Sequence, residues 1–560
     1  MSEPQKMSAG HLIVHQLERE GTRRVWLVPG ESYLDVLDGL YDSAIEAIPC
    51  RQEGGAGFAA LAEARLTGQP GVVMVTRGPG VANAMIAVHT AWQDATPLVV
   101  LVGLIPVRER GREAFQEFSL EGWFGTTAKH VVTLDQPEDA AFVVSRAWHI
   151  ARSGRPGPVV IGLPEDVLVE SVSAPAPGFP HQLPRSEATA AERKELVALV
   201  AGARRPMAVV GGDHWAQRTS DRLVAWASAQ GVPVATDFRS YDLVDHDAAC
   251  FAGPLGYARD QRLADRLDAA DTVVYLGCAR TDVLSDRYSL AADARSVVIS
   301  ADPEAHGHFG RLDLQLVCDL ESGVDALTGT RATAVEPDWM SDAHQDHVAF
   351  ATPHPDGGRF VDLGAAFGIL RKRLEAEPDP VITYGAGNHA LWAQRYLPAH
   401  RTASLLGPKN GAMGFGIPAA VAAAIVEPQR RVVSVAGDGC LLMNGQELAT
   451  AHAHGARVLV IAVDNSGFGT IREHQQRHYP GRPSGTSLTN PDLALYARAF
   501  GGYGRRVETT EEFSAALDEA LAAPGVALLH LIADPAVLEP DVHSIEPADG
   551  AATGARGEEA

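Results

Sequence analysis

The chain alternates short, unbroken apolar runs with longer stretches of helical periodicity, and it does so in three successive blocks. Between residues 8 and 172 the runs are VWLVP (25–29), VVMVT (72–76), LVVLVG (98–103) and PVVIGLP (158–164). Between 191 and 327 they are MAVVGG (207–212), PVATD (233–237), TVVYLG (272–277) and SVVISAD (296–302). Runs of this length without polar alternation predict strands buried on both faces, and the helices between them make the sheets parallel. In the third block, 358–540, the clearest unit is VVSVAGDGCLLMNGQELATAHAHGARVLVIAVDNSGFGTI (432–471), which reads as strand, glycine turn, helix, strand and polar loop. The expected fold is therefore α/β, with three doubly wound parallel-sheet domains at 8–172, 191–327 and 358–540. The proline-rich 173–190 and the polar 328–355 are expected to be irregular linkers. Residues 541–560, which hold few core formers, are expected to be a disordered tail.

Composition narrows the partners. The 560 residues carry a net charge of −23 with no basic block, which argues against nucleic acid or an anionic membrane as partner. No apolar run reaches the ~18 residues of a membrane span. The first residues hold no apolar segment with a cleavage site. Cys50, Cys250, Cys278, Cys318 and Cys440 are scattered and form no CxxC pair, which argues against zinc or a disulfide framework and fits a reducing cytoplasm.

The chemistry concentrates at strand ends. Asp438, in Gly437-Asp438-Gly439, and Asn465 each lie just beyond a predicted parallel strand, where open α/β sheets bind ligands. A carboxylate and an amide oxygen on glycine-rich loops suit Mg2+, which keeps waters and takes further ligands from a phosphorylated molecule. A metal-free crossover with a Gly-Asp-Gly turn is the other reading these residues allow. The order GDG, helix, strand, Asn loop resembles the thiamin diphosphate (ThDP) binding motif, although the family usually ends it in Asn-Asn and this chain has Asp464-Asn465. The resemblance implies that Asp438, Asn465 and the backbone carbonyl of Gly467 coordinate Mg2+, which holds the diphosphate beside Gly437, Gly439 and Cys440. Cys440 itself reads as a small residue packed under the phosphate loop.

Other segments extend the resemblance to the acetolactate synthase-like branch. TYGAGNHALWAQRY (383–396) and KNGAMGFGIPAAVAAAI (409–425) imply Asn388 and His389 beside the diphosphate and Met413 between the cofactor's two rings. RQEGGAGF (51–58) opens a helix at Glu53, where the helix dipole alone favours a carboxylate. The block resembles the family's pyrimidine-binding domain, which implies that Glu53 bonds N1′ of the aminopyrimidine and so promotes loss of the thiazolium C2 proton. By the same match Pro79 and Asn83 line the pocket, and Gln116 in AFQEF lies near the reactive carbon. Glu31 in VPGESYLDVLD either faces substrate as a proton donor or caps a helix start. Arg77 stands where the branch more often has serine, and Lys129-His130 also match it. The residues from about 472 to 487, with His474, Gln475 and His478, match a loop that orders over the active site.

In relatives the central domain binds FAD. GCARTDVLSDR (277–287) keeps Arg280 of the flavin loop but has Thr281 where phenylalanine is usual, which argues against FAD here. The resemblance thus implies an enzyme that decarboxylates a 2-keto acid, or cleaves an acyloin, and transfers the acyl carbanion equivalent. A non-ligating 2-keto acid decarboxylase and a flavin-linked oxidase are the alternatives. A degenerate, non-enzymatic scaffold would have lost Glu53, Asp438, Asn465 or Met413, and all are present. In the family Glu53 and Asp438 would come from different subunits, so a homodimer or homotetramer with interfacial active sites is expected.

Overall fold

The computed structural model describes residues 6–173, 183, 185–212, 215–305 and 307–543. Three six-stranded parallel sheets form in the three blocks. The first runs Glu46–Pro49, Arg24–Leu27, Gly71–Thr76, Leu98–Leu104, Pro158–Pro164, His130–Thr133 from edge to edge. The third runs Leu405–Leu406, Val381–Tyr384, Val432–Gly437, Val458–Asp464, Val526–Ile532, Tyr503–Val507. In chain order both read 2-1-3-4-6-5, so these two sheets share one topology. The central sheet instead reads 3-2-1-4-5-6, with Pro206–Val210 beside Thr272–Leu276.

The first and third sheets are joined by two helices of small residues. Glu53–Thr67 (EGGAGFAALAEARLT) is buried from Gly54 through Ala64, and Gly416–Val426 (GIPAAVAAAIV) is buried from Gly416 through Ala424. Helices apolar on all sides belong inside a core, and these two pack against each other within one hydrophobic cluster that spans both domains. Phe58 meets Phe415 edge to face at 5.3 Å.

Glu447 fastens the same junction. It is buried, and its carboxylate accepts from the backbone N–H of Arg51 (3.0 Å) and Gln52 (3.1 Å) and from the Thr450 hydroxyl (2.6 Å). Burial pushes its carboxyl above the usual range against these bonds. A Cβ at Gly55 would lie 2.7 Å from Glu447 Oε1, so glycine is required there. Glu447→Ala removes the acceptor of two partly buried N–H groups and of the Thr450 hydroxyl, at about 0.5–1.5 kcal/mol for each bond lost. The expected outcome is a clearly lower midpoint in scanning calorimetry; an unchanged midpoint would refute this fastening role.

Two expectations are corrected. The segment 328–355 is not irregular throughout: Trp339–Phe350 is a helix. Trp339 Nε1 donates to Pro206 O at 2.8 Å, and His344 Nδ1 lies 3.0 Å from Phe251 O. The expectation of a disordered tail also fails for residues 541–543. Val542–His543 pairs antiparallel with Val537–Glu539, and Asp541 accepts from Arg395 at 2.7 Å. Residues 544–560, and most of the expected linker at 173–190, lie outside the described residues.

Candidate active site

In the third sheet the strand order reverses between Val381–Tyr384 and Val432–Gly437. Loops leaving such neighbours in opposite directions open a crevice at their carboxyl ends. A cleft of about 240 Å³ lies there, and every third-block residue assigned above lines it: Asn388, His389, Met413, Gly437, Asp438, Gly439, Cys440, Asn465 and Gly467.

Asp438 is buried at the start of the helix Asp438–Asn444. Its Oδ1 accepts from Gly439 N at 2.8 Å, and its Oδ2 accepts from Gly467 N at 3.2 Å and Asn490 Nδ2 at 2.7 Å. Burial, with the neighbouring Asp464, pushes its carboxyl up against those bonds. Asp464, the departure from Asn-Asn, behaves differently. Burial raises its carboxyl too, but bonds from His530, Ser466 N–H and Asn490 outweigh burial and hold it below the usual range. Asn465 lies at the loop that Gly469 approaches; a Cβ at Gly469 would sit 2.9 Å from Asn465 Nδ2.

The donor set fits the group that the motif implies. Asp438, the Asn465 amide oxygen and the Gly467 carbonyl are the hard oxygens Mg2+ takes. His389 is buried with no protein partner for Nε2 among the described residues. A buried polar atom without a partner is costly, and one that lines a cleft is served by a polar ligand. Burial, with the Arg239 guanidinium nearby, pulls the imidazole down to about 3, so it is neutral near pH 7. Cys440 Sγ accepts from Gly414 N at 3.1 Å, and a Cβ at Gly385 would come within 2.2 Å of it. Burial raises this thiol; it fills space beneath the loop.

The first-block residues gather elsewhere. Glu53 is the first residue of its helix, and Asn83 Nδ2 donates to Glu53 Oε2 at 2.9 Å. Gly78 N donates to Gln116 O at 3.2 Å, which places Gln116 beside the Gly78-Pro79-Gly80 turn. Glu31 lies 3.6 Å from Arg77, whose other partner is Glu165 at 2.8 Å. Pro79 and Asn83 are exposed, and so are the apolar side chains around them, including Ile86 (42%) and Phe115 (75%). None of these residues lines the 240 Å³ cleft. The first-block group and the cleft group are thus two distinct clusters among the described residues.

Three further matched segments have structural roles of their own. The 472–487 segment begins within a helix, Gly469–His478, which has no buried residue. There Gln475 holds Ser484 through both ends of its amide, while His474 and His478 are exposed. Lys129 caps a helix end by donating to Ile150 O at 2.6 Å and to Ser153 O. A larger cleft, about 1710 Å³, opens where the central sheet's strand order reverses beside Gly212 and Gly277, and residues of all three blocks, among them Arg65, Arg155 and Lys409, line it. Arg280 does not line it; its buried guanidinium donates to the carbonyls of Tyr288, Leu290 and Phe309.

Two residues at the third-sheet site escaped sequence reasoning. Asn490 bridges Asp438 and Asp464, and His530 holds Asp464 from the next strand. A lone histidine inside the apolar run VALLHLI was the available signal for the second, because a buried imidazole needs a partner.

The sequence matches the thiamine pyrophosphate enzyme N-terminal TPP binding domain over residues 7–122, the central domain over 193–327 and the C-terminal TPP binding domain over 385–531. It is 30% identical to the acetolactate synthase isozyme 2 large subunit of Escherichia coli (strain K12), over 94% of this chain and 96% of that one. It is 30% identical to a probable acetolactate synthase large subunit of Methanocaldococcus jannaschii, over 96% and 93%. The acetolactate synthase large subunit of Corynebacterium glutamicum is 29% identical, over 92% and 85%. With likeness of this extent across all three domains, the chain belongs to the thiamine pyrophosphate enzyme family and is a thiamin diphosphate-dependent enzyme of the acetolactate synthase-like kind.

Proposed function

We propose that the protein decarboxylates a 2-keto acid and ligates the resulting acyl carbanion equivalent to a second carbonyl compound, in active sites shared between two copies of the chain. The observation that carries this reading is the division of the site. Asp438, Asn465, His389 and Met413 line one cleft, and Glu53 does not line it and has the exposed Ile86 close by.

In this reading Asp438, Asn465 and the Gly467 carbonyl hold Mg2+ and, through it, the diphosphate. His389 would offer the diphosphate a neutral imidazole, Asn388, whose amide is bonded to Leu538 O, Glu473 and Thr470, would shape the wall beside it, and Met413 would pack against the cofactor's rings. ThDP, when bound, supplies a thiazolium that stabilises the carbanion left by bond cleavage at a carbonyl carbon. Glu53 of a second copy would hold a proton toward the aminopyrimidine, and Asn83, which donates to Glu53 at 2.9 Å, would keep its carboxylate aimed. Gln116 and Glu31, next to the Gly78-Pro79-Gly80 turn and Arg77, are assigned to the substrate side. The exposed Met443 (48%) and Ile471 near the cleft match the exposed Ile86 and Phe115 as apolar rims that a second copy covers. Water is thereby kept from a reactive carbanion. This reading assigns no step to FAD.

Product analysis by NMR tests it. With ThDP, Mg2+ and pyruvate or longer 2-keto acids, the expected products are CO₂ and a ligated 2-hydroxy-2-acyl compound, acetolactate from pyruvate alone. Aldehyde without ligation would replace this reading by the decarboxylase one. No turnover of any 2-keto acid by protein shown to hold ThDP would sink both.

A further inference from the structure

Asp464 is next to Asn465 in sequence, yet both of its carboxylate oxygens are taken by four bonds to protein donors. Oδ2 accepts from His530 Nε2 at 2.9 Å. Oδ1 accepts from Ser466 N at 2.8 Å, from the Ser466 hydroxyl at 3.2 Å and from Asn490 Nδ2 at 2.8 Å. His530 is fully buried in the strand Val526–Ile532. Its Nδ1 accepts from Leu493 N at 3.2 Å, so the ring proton sits on Nε2 and is donated to Asp464. Asn490 completes the arrangement. Its Nδ2 donates to Asp438 Oδ2 at 2.7 Å and to Asp464 Oδ1 at 2.8 Å, so one amide spends both hydrogens on two carboxylates. The segment around it is fixed over the Asn465 loop, with Phe468 N bonded to Thr486 O at 2.8 Å and Leu488 N to Ser466 O at 2.9 Å.

We propose that Asp464, His530 and Asn490 form a positioning network for the metal site, in which His530 keeps Asp464 from becoming a ligand and Asn490 fixes the Asp438 carboxylate. The proposal rests on the reading of Asp438 as a Mg2+ ligand. Its physical basis is the charge of the site. Mg2+ is held by one or two carboxylates in strict octahedral geometry, whereas Ca2+ accepts more oxygens in looser arrangements. A carboxylate freed beside Asp438 turns a Mg2+ site towards Ca2+. Partners that orient metal ligands carry about 10–100-fold in affinity.

The test is a calorimetric titration of Mg2+ and of Ca2+ into the full chain in the presence of ThDP, with thermal melts of the metal-free proteins alongside. Asp438→Ala is expected to remove Mg2+ binding; if it does not, the metal reading itself fails. With that reading intact, His530→Leu is expected to weaken Mg2+ about 10–100-fold and to narrow or reverse the preference over Ca2+. His530→Gln, whose amide can still donate to Asp464, is expected to stay close to the parent. Asn490→Ala, at a half-buried loop position, is expected to weaken Mg2+ similarly and decides the matter where His530→Leu does not fold. Parent-like Mg2+ affinity and Ca2+ preference in a folded His530→Leu or Asn490→Ala protein would overturn the proposal.

Discussion

Replacing Glu53 by glutamine is expected to cut turnover by about 10²–10⁴-fold, the range a positioned acid–base group supplies, while ThDP still binds. The substitution keeps the shape of the side chain and an oxygen that can accept from Asn83 Nδ2, now 2.9 Å from Glu53 Oε2. What it removes is a proton that a carboxylic acid can share with N1′. Glu53 lies at the first turn of a helix whose next eleven residues are buried, so the backbone that presents it does not move with the substitution. Steady-state product formation and calorimetric ThDP affinity, measured on the same preparations, separate the two effects. Near-parental turnover would remove Glu53 from proton transfer. Lost affinity with parental turnover at saturating ThDP would make it a binding group only.

The two halves of the site differed in how legible they were. The cleft half is written within a few strand ends, and the Gly-Asp-Gly turn and the Asn465 loop are local features of the chain. Even its departure, Asp464, was visible, but its meaning was not. His530 is on another strand and Asn490 on a loop that folds back, so the bonds that explain Asp464 join residues 66 and 26 positions apart. Glu447 is farther still, 395 positions from the Gln52 N–H it accepts. Glu53 could be assigned a role only through family resemblance, because among the described residues its carboxylate has a side-chain bond from Asn83 and no contact with the cleft residues marks it as part of one site.

Burial explains the rest of the pattern. The strands read from sequence are buried nearly throughout. Those missed include a sheet edge, His130–Thr133, which is half-buried at every position. An edge strand that faces solvent has no apolar run to reveal it. The helix Trp339–Phe350 was missed for the same reason, since only Ala343 and His347 are buried and no stripe of apolar residues marks its face. The shared 2-1-3-4-6-5 order of the first and third sheets was also out of reach, because strand order is decided by pairing between runs that look alike.

Asp438→Ala carries the other large expected effect: loss of Mg2+-dependent ThDP binding, beyond the roughly 10–100-fold that an orienting partner commands. The side chain does two jobs. It offers the one carboxylate that faces the cleft from the turn, and it accepts from Gly439 N, Gly467 N and Asn490 Nδ2. Alanine ends both, so the Asn465–Gly467 loop loses its tie to the turn as well as its charge. Asp438→Asn distinguishes the two losses. It restores one acceptor oxygen but not the negative charge, and its amide hydrogens face donors at Gly467 and Asn490. Metal-free thermal melts of Asp438→Asn are expected to lie closer to the parent than those of Asp438→Ala, while calorimetry finds ThDP binding indifferent to Mg2+ in both. Retained Mg2+-dependent binding in Asp438→Asn would mean that geometry, and not charge, holds the cation. Retained binding in Asp438→Ala would remove Asp438 from the metal site altogether.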